Sequence, residues 1–89
     1  MRKRERVELI HDILRVVQTA GGKIKPTHLL YKANLSHDAL KRYVAELIAG
    51  GMLIETEQKG KKSYELTDKG HAFLAQYRQF KSFSDAFGL

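Results

Sequence analysis

Lys41 and Arg42 stand side by side, one helical turn after His37 and Asp38. Arginine presents a planar fork of N–H donors that matches the O6 and N7 acceptors of a guanine edge, whereas lysine offers a single point charge. His37 can donate or accept through its ring and gains charge when protonated, and Asp38 can accept from an amino group such as that of cytosine. Ser36, just ahead of them, carries a hydroxyl able to cap a helix or reach the same surface. A second cationic group, Lys59, Lys61 and Lys62 in the stretch KGKK, suits phosphate oxygens rather than base edges. Thr27, His28 and Lys32 add further phosphate-binding chemistry upstream. For any single helix, the stronger reading of such residues is a solvated face, and lysines at a hairpin tip also discourage edge pairing. The reading therefore depends on whether the rest of the chain brings these groups together.

Other chemistries are poorly supplied. With no cysteine there is no disulfide framework, thiol nucleophile or cysteine zinc site. The histidines are scattered, and Glu8, His11 and Asp12 are the one set that could reach a metal from a single helical face. No further histidine or cysteine lies near them, and intrahelical pairing with water-facing neighbours is the simpler role. There is no phosphate-cradling glycine loop, no pair of carboxylates in an apolar setting and no supported Ser/His/Asp arrangement. A non-enzymatic protein without cofactor or metal is expected.

The 89 residues suffice for one domain with its own core, expected to span residues 1–89. A net charge of +6 and a pI near 9.7 favour a polyanionic partner, nucleic acid first and an acidic membrane surface second. No run approaches the ~18 apolar residues of a membrane span, and MRKRER leads into an amphipathic pattern rather than a signal core. A cytoplasmic protein is the expectation.

The elements that position the candidate residues follow from periodicity. Residues 4–20 carry two adjacent apolar stripes, Val7, Ile10, Leu14 and Val17 beside Leu9, Ile13, Val16 and Ala20. A face that wide predicts a spine helix with contacts on two sides. Arg2, Lys3, Arg4 and Arg6 ahead of it read as a solvated terminus or as an arm reaching a backbone. Gly21-Gly22 stops the helix, and Lys23-Ile24-Lys25 alternates as an edge strand would.

Pro26 suits the first turn of a helix over 26–33, with Leu29, Leu30 and Ala33 as its apolar side. Asn34 fits a turn, Leu35 points inward, and Ser36 caps a helix over 36–49 with Leu40, Tyr43, Val44, Leu47 and Ile48 on one face. Gly50-Gly51 ends it. Two short helices joined by a tight turn, the second basic at its exposed start, form a helix-turn-helix.

Residues 52–66 predict a hairpin with a five-residue loop, Gln58 to Lys62. Its body carries Glu55, Glu57 and Glu65 while the lysines crowd the tip, so only the tip suits a polyanion. Thr67 caps a last helix over 68–87. There Phe73, Tyr77, Phe80, Ser84 and Phe87 make a short heptad seam, widened by Ala72, Leu74 and Phe83. The first part of that seam can fold onto the spine helix. Phe80, Phe83 and Phe87 would otherwise form an exposed apolar patch, which predicts a homodimer through this helix. Phe73, Tyr77, Phe80, Phe83 and Phe87 are the expected interface.

With these elements in order, the phrases RVELIHDIL, KANLSHDAL, YVAELIAGGMLIE and YELTDKGHAFL resemble small archaeal winged helix-turn-helix DNA-binding proteins. The resemblance implies a mainly α (α+β) winged helix-turn-helix fold with a three-helix core, a β-hairpin wing and a C-terminal helix. It further implies a double-stranded DNA partner. The third helix would enter the major groove through Ser36, His37, Lys41 and Arg42, the wing would make contact through Lys59, Lys61 and Lys62, and the last helix would build a dimer. Two departures stand out: the last helix is short for a long antiparallel coiled coil, and Asp38 and Glu46 would disfavour close phosphates on their sides. The expected function is a homodimeric transcriptional regulator. A sequence-neutral chromatin-like packaging protein and a protein–protein interaction module are the alternatives.

Overall fold

The computed structural model describes residues 6–88. Arg2, Lys3 and Arg4, and the expected start of the first helix at residue 4, lie outside the described residues. Four helices and three strands follow in the order α1 (Arg6–Thr19), β1 (Lys23–Ile24), α2 (Pro26–Ala33), α3 (His37–Ala49), β2 (Leu53–Gln58), β3 (Lys61–Leu66) and α4 (Asp68–Ala86). This is the winged helix-turn-helix arrangement.

The double stripe of α1 makes it the spine: it packs on α2, α4, β1 and β3. Ile13, Leu14 and Val17 are fully buried, and Leu29 of α2, Val44 of α3, Leu53 of β2 and Leu74 of α4 close around them. A large-to-small change at any of the fully buried leucines would cost about 2–5 kcal/mol. No buried side-chain polar atom lacks a partner among the described residues.

The junctions are held by local chemistry. Pro26 opens α2, and Asn34 closes it in the left-handed region at φ 54°. Leu35 then packs against the core, and Ser36 accepts a bond from the Ala39 N–H at 3.2 Å to cap α3.

β1, β3 and β2 form one antiparallel sheet in that order. The hairpin corrects the expected five-residue loop. Gln58 pairs with Lys61, so the tip is the two-residue turn Lys59-Gly60. Both have positive φ, 54° and 77°, as a type I′ turn requires, and its twist matches that of the flanking strands. Gly60 takes this conformation freely, whereas Lys59 is a side chain rarely found there.

Pairing register assigns the faces. Ile24, Leu53 and Leu66 point into the core, and Glu55, Glu57, Lys62 and Tyr64 share their side. Lys23, Ile54, Thr56, Gln58, Lys61, Ser63 and Glu65 lie on the outer side.

The step from hairpin to α4 is tightly bonded. Thr67 Oγ1 accepts from the Gly70 N–H at 3.1 Å and donates to the Gly51 carbonyl at 2.6 Å. The Thr67 N–H donates to Met52 O, and Lys69 Nζ donates to Gly50 O at 2.7 Å. The LTDKG stretch therefore fastens α4 to the turn that ends α3. No helix among the described residues is long and apolar enough to cross a membrane.

Candidate nucleic-acid interface

Thr27 at the start of α2, and His37 and Lys41 at the start of α3, converge on one groove with Tyr64 from the wing. Pro26, Leu30, Leu40 and Val44 complete its walls around a volume of about 220 Å³. The convergence follows from the turn: Asn34 and Ser36 fix the angle between the helices so that their N-terminal ends open to the same side. Backbone N–H groups at those ends favour anionic oxygens. Burial, and secondarily Glu55, raise the Tyr64 phenol above its usual range, so it remains a neutral hydroxyl donor in the groove.

Arg42 and Asp38 are exposed on α3 beside this groove rather than in its lining. Ser36 uses its acceptor on the helix cap, leaving its hydroxyl hydrogen free for another contact. Glu46, expected to disfavour phosphates, accepts from Arg6 of α1 at 2.8 Å, which offsets its charge. Both side chains are largely exposed, so the pair adds at most about 1 kcal/mol to stability.

The remaining candidates divide. His28 and Lys32 line a different hollow, with Val16 and Thr19 of α1 and Ala20 just after it, and do not join Thr27. Residue 27 points about 100° around α2 from residue 28, and α1 covers that neighbouring side. Tyr31, one turn beyond Thr27 and 86% exposed, is a residue the sequence reading passed over. Its i,i+4 spacing from Thr27 was the available signal.

The wing lysines also separate. Lys62 lies 3.9 Å from Glu55 on the inner side of the hairpin. Lys59 and Lys61 instead join Lys23 and Lys25 around an open cleft of about 570 Å³ on the outer side. By local pattern alone, Lys23 and Lys25 are strand flanks. Their meeting with the wing depends on β1–β3 pairing, which no local spacing reveals.

On α4, Phe73 packs against the core and Tyr77 stacks on His11 of α1 with ring centroids 4.1 Å apart. Phe80, Phe83 and Phe87 are 67%, 59% and 68% exposed, the last two in mutual contact with centroids 4.7 Å apart. The five aromatic residues thus fall into a pair held within the chain and an exposed patch.

A family model described as winged helix-turn-helix matches residues 3–85. An uncharacterized protein from Methanocaldococcus jannaschii is 35% identical over 68 residues, 76% of this chain and 64% of that protein. The chain thus spans less than two thirds of that relative's length. Sso10a-2, a DNA-binding protein from Sulfolobus solfataricus, has a similar structure, with a TM-score of 0.79 at 25% identity over 94% of this chain and 85% of that one. A winged-helix DNA-binding protein from STIV gives 0.77 at 24% identity, covering 92% of each chain.

Proposed function

The chain belongs to the winged helix-turn-helix family, and from that premise we propose that it binds double-stranded DNA as a homodimeric transcriptional regulator. The start of α3 enters the major groove, with Arg42 as the bidentate guanine contact and His37 and Lys41 reading adjacent edges. Thr27, Tyr31 and the wing-tip Lys59 and Lys61 hold the flanking phosphates. Phe80, Phe83 and Phe87 pair with those of a second copy. The two α3 helices then address half-sites about 34 Å apart on one side of the duplex, which implies an inverted repeat.

The observation that carries this reading is the convergence of Thr27, His37, Lys41 and Tyr64 on one groove. A hydroxyl, an imidazole and an ammonium at two helix N-termini, with a phenol from the wing beside them, suit phosphate oxygens and base edges. DNA-binding relatives of the same fold support the choice of partner.

The test is fluorescence anisotropy of duplex DNA across a salt series, for the wild type and a Lys41→Glu, Arg42→Glu variant. Several displaced counterions in the wild type and collapse of affinity in the variant are expected. No binding at low salt would overturn the proposal. Selection from random duplexes should enrich an inverted repeat, and a result without any enriched motif would point instead to sequence-neutral packaging.

A further inference from the structure

Lys23 and Lys25 flank β1, Lys59 sits in the wing turn and Lys61 opens β3, yet all four line the one cleft on the outer side of the sheet. We propose that this cleft is a second seat for the DNA backbone, holding phosphates beyond the segment reached by α3. The inference rests on the DNA-binding reading and extends its footprint to a strand not otherwise assigned to it.

Three observations carry it. First, the four ammonium groups have no carboxylate within 4.0 Å among the described residues. Lys62, by contrast, lies beside Glu55 on the other side of the hairpin. Strand alternation turns Glu55 and Glu57 away from the cleft, and the outer carboxylate Glu65, opposite Lys23, lies outside its lining. The distal outer side is therefore cationic although the hairpin sequence carries mixed charge. Second, the rest of the lining is Thr56, Gln58, Ser63 and Ile24. Hydroxyl and amide side chains are the neutral partners of phosphate oxygens. The Thr56 hydroxyl makes only a long bond of 3.4 Å to the Ser63 carbonyl, so it can turn to a ligand.

Third, the cleft adjoins the α3 groove at the β1–α2 junction. Lys25 lines the one and its neighbour Pro26 the other, while along β3 the sheet lies between them, with Ser63 on its outer side and Tyr64 on its inner side. A backbone held at Thr27 would reach the lysine cleft by passing around that junction. The open shape, lined by exposed ammonium groups, suits an extended polyanion.

The experiment compares duplex binding by the wild type, Lys23→Gln/Lys25→Gln, and a control, Arg78→Gln/Lys81→Gln, that loses the same charge on α4. Each phosphate contact contributes about 0.9 to the slope of log K against log salt. The cleft variant should therefore lose about one to two from the slope, with the control near wild type. Lys61→Gln probes the cleft from β3 and should lose about one. Equal thermal midpoints establish that the variants are folded, as the exposure of these side chains predicts. A wild-type slope in the cleft variants, or an equal loss in the control, overturns the inference while leaving the α3 reading intact. If the wild type binds no duplex, both fall together.

Discussion

A Cβ placed on Gly70 would lie 2.5 Å from the Met52 carbonyl oxygen and 2.5 Å from a Leu66 methyl. Leu66 can rotate, but the carbonyl is backbone and already accepts from the Thr67 N–H at 3.1 Å. The α4 helix can therefore sit this close to the end of α3 only with glycine there. Gly70→Ala should lose about 2 kcal/mol, the overpacking cost exceeding the roughly 1 kcal/mol that alanine gains within a helix. Urea denaturation measures it, and an unchanged or raised midpoint would refute the close approach.

Much of this architecture was legible because its signals are local. Pro26, Asn34, Ser36 and Thr67 each mark a junction through their own backbone or side-chain chemistry, and the apolar period fixed the spine and the third helix. The wing turn was hidden because Lys59 occupies a positive-φ position where asparagine or aspartate is the usual signal. Which groups share a surface was harder to see. The Arg6–Glu46 pair, the separation of His28 and Lys32 from Thr27, and the joining of Lys23 to Lys61 arise from contacts distant in sequence. Helical periodicity says which residues face alike, but not which neighbouring element covers them.

Tyr64 makes stability fall in alkali. Burial first, and Glu55 second, raise its folded-state value above the ordinary 10.0. At a pH between the two values the folded state keeps a proton that the unfolded state has lost, so unfolding releases it and stability declines as pH rises. This contribution is intact below about pH 10 and is lost through the folded value. Denaturation midpoints of wild type and Tyr64→Phe, compared between about pH 9 and 11, isolate it from the lysines. The variant should decline less; parallel curves would show the phenol is not responsible.

The exposed end of α4 is predicted to govern assembly. A helix with Phe80, Phe83 and Phe87 in water keeps a sizeable apolar area uncovered, and association would remove it at about 25 cal/mol per Å². Phe83→Glu places a charge against the Phe87 ring, where a dimer seam would have to desolvate it. Sedimentation should find the wild type dimeric at micromolar concentration and Phe83→Glu monomeric with an unchanged thermal midpoint for the core. A wild type that remains monomeric at high micromolar concentration would remove the dimer, and with it the expected inverted repeat.

Arg42 and Lys59 should fail in different ways. Arg42 is exposed at the start of α3, where its fork can meet one guanine edge, whereas Lys59 stands at the wing turn, where only charge is on offer. Arg42→Ala should cost about 1–3 kcal/mol on a preferred site and relax the preference at one base pair. Lys59→Ala should weaken all sequences alike and lower the salt slope by about one. Anisotropy on the preferred duplex and on single-base variants of it separates the two. Uniform weakening by Arg42→Ala would mean that α3 lies along the backbone rather than in the groove. In that case the preference would have to come from DNA shape, and substitutions in α3 would leave the ranking of sites unchanged.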